Sequence, residues 1–377
     1  MPEHNQAENP WNWGSSEADN ASPTPDTPSP ASGTPASSYA PDGAPQYTPA
    51  PNFSQNQANQ QPGIIPLRPL TISDLLEGSF AAVRSNPGVM FGLSVIVMSI
   101  VAVISGLANL WSPLDDVFAN LENNPNMSDD EAIEALAEMF TSMTTSLVGP
   151  AILEFFAVII LTGLLTYAVS RAVIGKVTSL SATWSNTKGR VLPLIGLTIL
   201  TSILTFVVAA VVSLIFSIPL ILLAFSNPED ALSGIAGATA LLIAGIFVAF
   251  AALAYISVKL LVAPIVLVLE GAGPIESIKR SWKLTKGFFW PTLGRMILIG
   301  IIVSIIGQVL GLIVSVPVTL GFATQPGLAL ALSASVGILV SGLILPVQAA
   351  YNSLIYVDLR IRKEGLATSL LQESANR

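Results

Sequence analysis

Cysteine is absent from this 377-residue chain, and histidine occurs once, as His4. Without cysteine there is no disulfide, no thiolate metal site and no cysteine nucleophile. With the sole imidazole in the N-terminal tail, the folded part has none for catalysis or metal binding. Charge is scarce too, at 11% of residues. No H-E-x-x-H, no phosphate-binding glycine-rich loop with its lysine and no Ser/His/Asp set occurs. The expectation is a non-enzymatic protein without cofactor, metal or nucleic-acid partner. No signal peptide is visible either, because the first long apolar run begins near Gly88, far from the N-terminus.

What the chain has is hydrophobicity, 51% of residues, although residues 1–62 add almost nothing apolar. That tail is rich in Pro, Ser, Ala, Asn and Gln and lacks Lys and Arg. Such a composition cannot bury enough surface to offset its ordering entropy, so it reads as a disordered tail, either solvated or a tether for a protein partner. Six hydrophobic runs follow, at roughly 88–110, 148–170, 191–221, 233–262, 289–320 and 328–356. Each exceeds the roughly 20 residues that cross about 30 Å of hydrocarbon as a helix. The third to sixth are longer than needed and are expected to tilt, to kink at Pro219, Pro317 or Pro346, or to project. The fold class is an all-α membrane protein with six transmembrane helices, its membrane domain spanning 63–370 with a short tail at 371–377.

The net charge of -8 matters less than its distribution. Arg68 and Arg84 precede the first run; Arg171, Lys176, Lys188 and Arg190 lie between the second and third. Lys279, Arg280, Lys283, Lys286 and Arg295 lie between the fourth and fifth, and Arg360, Arg362, Lys363 and Arg377 follow the sixth. The connections after runs one, three and five contain no Lys or Arg. Basic residues near membrane ends are retained in the cytoplasm, so a multi-pass protein of the cell membrane with both termini cytoplasmic is expected. The first outer connection, 111–147, is strongly acidic, and Ser128 with Glu131 forms a capping-box start for a helix to about Thr145. Its carboxylate spacing matches no calcium loop, which leaves a solvated helical cap as the simpler reading over a cation site.

Sliding the chain against itself by 98 positions aligns 176–220 with 274–318, and fifteen of the 45 pairs are identical. Trp184 meets Trp282, Lys188-Gly189 meets Lys286-Gly287, Pro193 meets Pro291 and Pro219 meets Pro317. A third copy sits 104 positions before the middle one, setting Leu76, Phe80, Arg84 and Gly92 opposite Leu180, Trp184, Lys188 and Gly196. Paired Trp, Lys, Gly and Pro in register exceed what shared apolar composition produces. The stretch 261–295 shows the unit best: a basic amphipathic segment between two spans, with one apolar face, cations for anionic headgroups and boundary aromatics. It reads as an interfacial elbow helix. Thr71 to Ser85 is the first such elbow, with Ile72, Leu75, Leu76, Ser79, Phe80 and Val83 on one side. Three units of elbow helix plus helical hairpin, in pseudo-threefold array, are expected.

The headgroup-facing elbow cations are then Arg84, Lys188, Lys279, Arg280, Lys283 and Lys286. The even-numbered spans end alike, Tyr167 then Arg171, Tyr255 then Lys259, Tyr356 then Arg360. An aromatic followed one turn later by a cation is an interfacial anchor, so Arg171, Lys259 and Arg360, with Trp184 and Trp282, are expected at the boundary, Lys259 snorkelling to it. Within the spans Glu154 is the sharpest polar group. It is a proton or cation site, the partner of a substrate ammonium, or a carboxylate reaching outer headgroups or hydrogen-bonded to a neighbouring span. Gln308, Gln348 and Asn352 either line a cavity with it or bond between helices. Asp358 beside Arg360 reads as an interfacial ion pair.

Three motifs together resemble a bacterial family of integral membrane proteins related to the membrane domain fused to some glycerophosphoryl diester phosphodiesterases. They are Pro66-Leu67-Arg68-Pro69-Leu70 leading to Leu76-Glu77-Gly78, Ala263-Pro264 through Glu270-Gly271 to Arg280-Ser281-Trp282-Lys283-Leu284-Thr285-Lys286-Gly287, and Tyr356-Val357-Asp358-Leu359-Arg360 with Glu364-Gly365-Leu366. The resemblance implies a membrane module seen beside glycerophospholipid chemistry, without the catalytic barrel, for which nothing here supplies the residues. Two functions are compatible with these readings. One is a module that binds or helps move lipid or an envelope precursor through anionic-headgroup contacts. The other is a scaffold or assembly factor that recruits a partner through residues 1–62.

Overall fold

The computed structural model describes residues 64–110 except 67, 128–224, and 228–365 except 323, all within one compact unit, Asn59–Arg377. The tail 1–62, most of the acidic connection and the end 371–377 lie outside the described residues. Among the described residues all regular structure is helical: α1 (Ile72–Ser85), α2 (Pro87–Leu110), α3 (Asp129–Val173), α4 (Leu180–Ala224), α5 (Pro228–Leu260), α6 (Ala263–Glu270), α7 (Pro274–Thr285), α8 (Phe289–Gly321) and α9 (Pro326–Glu364). Six of them are long and apolar enough to cross a membrane, at 87–109, 148–173, 180–218, 239–270, 289–321 and 327–364. The protein is a multispanning helical membrane protein.

The element boundaries have local causes. Thr71 caps α1, its hydroxyl accepting from the Asp74 amide while Asp74 accepts from the Thr71 amide. Burial pushes the Asp74 carboxyl up, but the Thr71 hydrogen bonds and the Arg68 charge outweigh it and hold the group below its ordinary value. Pro87, whose missing N–H is no loss at a helix start, opens α2. Ser128 and Glu131 form the expected capping box. The helix they open does not stop near Thr145, however; it runs unbroken through Pro150 into the second span. One proline removes one backbone bond, too little to end a helix continued on both sides.

Two further expectations need correction. The second elbow is not a separate helix but the first turns of α4. Gly287, at φ 86°, breaks the chain between α7 and α8, whereas its counterpart Gly189 stays inside the α4 helix. The stretch 261–295 is also not a single elbow segment between two spans. α6 intervenes, a short helix with Ala263 and Ile265 to Leu269 all buried against α3 and α4.

Neighbours in the bundle follow the chain. α2 packs on α3, α3 on α4, α4 on α5, α5 on α8 and α8 on α9, and α9 returns to α2, closing the circuit. Gly342 of α9 permits that approach, since a Cβ there would lie 2.9 Å from Met98 Cβ. Elsewhere the core gathers at one end, which we term the elbow end. There Leu161, Leu165 and Val169 of α3, Leu194 and Leu197 of α4, Ala263 and Ile265 to Leu269 of α6, and Tyr351 and Ser353 to Tyr356 of α9 are sealed. Beyond Leu197 the described part of α4 buries no residue, and α8 buries none beyond Ile299.

Gly271 ends α6 at φ 76°, in the left-handed region, and a Cβ there would meet Arg190 Nη1 at 2.5 Å. Arg190 is occupied, donating from Nη1 to the Leu267 carbonyl at 2.9 Å. Gly271→Ala is therefore expected to cost about 1–2 kcal/mol from the backbone alone, with the lost Arg190 bond in addition. Gly189→Ala, at a helical glycine whose Cβ would meet nothing within 4 Å, should be neutral or slightly stabilising. Paired thermal unfolding curves in one detergent check this; equal midpoints for both variants would contradict it.

Candidate functional site

The elbow end carries nearly all of the described charge pairing, in two knots and one unpaired cluster. In the first knot Asp358 of α9 is fully buried and accepts from Arg295 Nη1 of α8 at 2.6 Å, from Arg362 Nε at 2.8 Å and from the Leu70 amide at 2.6 Å. Arg295 and Arg362 each donate a second bond, at 3.1 Å, to the Leu70 carbonyl. Both backbone groups of one residue preceding α1 are thus gripped by the last hairpin. The expected Asp358–Arg360 pair is not formed. Residues two apart on a helix point to different sides, and Arg362, one turn on, takes the carboxylate instead.

Arg360 belongs to the second knot. It is 5% exposed, donates to Glu364 at 2.9 Å and to the Tyr356 hydroxyl at 3.3 Å, and its guanidinium lies 5.7 Å from the Tyr356 ring. Tyr356 in turn donates to Glu270 at 2.7 Å. Arg280 closes the loop, 2.9 Å from Glu270 and 2.6 Å from Glu364. Burial works against the Arg280 charge, but the two carboxylates outweigh it and raise its pKa further. Arg280 was expected as a headgroup cation; its charge is instead committed inside the protein.

The remaining elbow cations face outward. Arg84, Lys188, Lys279, Lys283 and Lys286 are exposed, as are Trp184 and Trp282. The three elbows share one pattern. Ser79, Thr183 and Ser281, equivalent under the repeat, are fully buried, and Val83, Thr187 and Thr285 one turn on are buried too. On the adjoining face Phe80, Trp184 and Trp282 are 48%, 49% and 39% exposed, with Arg84, Lys188 and Lys286 exposed beyond them. Ile72 and Phe80 thus leave the face they were expected to share with Leu75, Ser79 and Val83. The residue after each elbow also reaches back to the chain leaving the same unit. Asn86 donates to the Thr178 carbonyl at 2.6 Å, Arg190 to Leu267, and the Phe288 ring lies 6.0 Å from the Arg362 guanidinium.

Of the anchor residues, Arg171 is half-buried, and Lys259 is only 5% exposed, so it does not snorkel outward. Its ammonium lies 5.5 Å from the Tyr255 ring and 5.5 Å from the Trp282 ring.

The intramembrane candidates do not converge. Glu154 is half-buried and accepts from Ser341 of α9 at 3.3 Å, Asn352 is half-buried, and Gln308 and Gln348 are exposed on their helices. A different polar feature lies elsewhere: Thr201, Ser202 and Thr205 of α4 and Ser257 of α5 line an open groove of about 570 Å³, with Phe206 and Leu253 among its apolar walls. The i, i+3, i+4, i+7 spacing of Thr198, Thr201, Ser202 and Thr205 is a sequence signal for that stripe. Among the described residues no group of His, Asp or Glu is placed to hold a metal.

The family model described as a domain of unknown function, DUF7847, matches residues 126–359, more than half of the chain. The chain belongs to this family. Neither among curated proteins nor among solved structures is there a match. The matched DUF7847 region runs from the start of α3 to Leu359, and so contains Asp358, Arg295, Glu270, Arg280 and Lys259, but not Leu70 or Arg362.

Proposed function

We propose that this DUF7847 protein is a non-enzymatic module of the cell membrane that binds anionic lipid at its elbow end, with that end and both termini cytoplasmic. The observation that carries the reading is the shared outer face of the elbows, an exposed aromatic followed one turn later by an exposed cation at Phe80/Arg84, Trp184/Lys188 and Trp282/Lys286. Large aromatic surface beside a cation is suited to the headgroup layer, and three such faces on equivalent segments support a pseudo-threefold arrangement of the units. The absence of Lys and Arg from the other three connections supports the orientation. The groove between α4 and α5 is suited to an acyl chain, with hydroxyls as its only polar lining. The resemblance of its motifs to the membrane domain of glycerophosphoryl diester phosphodiesterases fits lipid handling.

Native mass spectrometry from nanodiscs of mixed phosphatidylcholine and phosphatidylglycerol tests this. Phosphatidylglycerol should be retained over phosphatidylcholine. The preference should shrink as salt rises from about 0.1 to 1 M, where the screening length falls from about 10 to 3 Å. It should also shrink in the triple variant Arg84→Gln, Lys188→Gln, Lys286→Gln. Equal retention of both lipids, together with a protein partner lost on deleting residues 1–62, would replace lipid binding with the scaffold reading.

A further inference from the structure

Lys259 is a nearly buried charge at the elbow end that no carboxylate among the described residues pairs with. It is 5% exposed, and among the described residues no side chain or carbonyl accepts a hydrogen bond from its ammonium. Among the described residues its ammonium faces the rings of Tyr255 and Trp282, and a cation over rings still lacks acceptors for three N–H bonds. The surroundings add charge of the same sign. Lys286 and Lys363 lie near enough to repel Lys259, and Lys283 is an electrostatic neighbour of Lys363. Lys363 is held there, donating to the Lys283 carbonyl at 2.6 Å, with its ammonium 5.9 Å from the Phe288 ring. The carboxylates of α6 and α9 do not neutralise this group. Glu270 is taken by Arg280 and Tyr356, and Glu364, which attracts Lys363, is already shared by Arg280 and Arg360.

Like charges gathered around a nearly buried, unpartnered ammonium cost free energy unless an anion completes them. We propose that Lys259, Lys286 and Lys363 form a site for the phosphate of a lipid phosphomonoester, with Tyr255 and Trp282 walling the headgroup and Lys283 at the rim. Three compact ammonium charges suit a terminal phosphate, which carries about -1.5 to -2 at pH 7, better than a phosphodiester with its single charge. A lipid is chosen over a soluble ester because the site adjoins an aromatic cluster at a span end, in which exposed Trp282, Tyr255 and Trp290 join half-buried Phe289. The site rests on the lipid-binding reading and narrows it to one place and one headgroup class. The other two units lack it. Arg171, at the position of Lys259, is half-buried, and Arg360 is paired with Glu364.

The test uses nanodiscs holding phosphatidylcholine with equal minor amounts of phosphatidic acid and phosphatidylglycerol. The full-length protein should retain phosphatidic acid over phosphatidylglycerol by roughly tenfold, the scale of a lost charge-assisted hydrogen bond. Lys259→Gln should bring the two lipids near parity, while Lys176→Gln, which lies outside this site and outside the elbow cations, leaves the preference intact. Lys363→Gln, at an exposed residue, carries the test if Lys259→Gln does not fold. Equal retention in the unaltered protein, or an unchanged preference in both lysine variants, would overturn the site while leaving general anionic-lipid binding in place. Displacement of phosphatidic acid by millimolar glycerol 3-phosphate would overturn the lipid assignment in favour of a soluble phosphomonoester. Retention of neither acidic lipid above phosphatidylcholine would instead remove the broader reading.

Discussion

Asp358→Ala should be among the most damaging single substitutions in this chain. It removes the one carboxylate that holds Arg295, Arg362 and the Leu70 amide together, at 2.6, 2.8 and 2.6 Å. Arg295 is 8% exposed, so the variant strands a buried cation, for which the cost is on the order of 3–5 kcal/mol. Part of the damage should be local. With the Leu70 amide unpaired, the segment before α1 loses its hold on α9, and Ile65, 1% exposed against Gly78 and Leu354, loses the geometry that buries it. The expected result is a clearly lower melting temperature in detergent, with new protease cleavage in the stretch 64–71 at temperatures where the spans remain folded. Asp358→Asn separates the contributions. It keeps an acceptor for Leu70 but not the charge, so a melting temperature close to the unaltered protein would show that ion pairing is not what holds this knot.

The second large effect is expected at Glu270. Its carboxylate accepts from Arg280 at 2.9 Å and from the fully buried Tyr356 at 2.7 Å. Glu270→Ala leaves a buried phenol without its acceptor and halves the countercharge on Arg280, a combined cost on the order of 2–4 kcal/mol. Glu270→Gln should cost less, because its amide oxygen still accepts from Tyr356. The double variant Glu270→Ala, Arg280→Ala should be less destabilised than the sum of the two single ones, since the residues share one interaction. A strictly additive cycle, measured by equilibrium unfolding, would show the two residues acting independently.

The sequence revealed the features that repeat locally and missed those set by distant contacts. Spans stand out because about twenty apolar residues leave a signal readable from composition, and the Ser128–Glu131 cap because its partners are three apart. α6 was hidden by its own burial. Ile265 to Leu269 are apolar on every side, so no helical periodicity separates them from the span before. The role of Arg280 was misread for a related reason. Glu270 precedes it by ten residues, and only the left-handed turn at Gly271 brings α6 and α7 together for the pair. Lys259 resembled its counterparts Arg171 and Arg360 in sequence, yet the three differ in burial and partners, because what surrounds each is supplied by other helices. The Leu70 clamp involves backbone groups and residues up to 292 positions away, and no single-sequence pattern encodes such a contact.

The concentration of buried side chains at the elbow end gives the bundle a mechanical polarity. α4 and α8 are fastened within their first turns and then run on with little protein behind them. Their far ends are therefore positioned by the acyl chains as much as by α5 and α9, the helices they pack on. Hydrocarbon that is shorter or longer than the helices is absorbed at that end, by fanning or tilting, at a small cost per ångström of mismatch. The stitched end keeps its geometry, so its charged groups stay registered whatever the thickness of the surrounding bilayer.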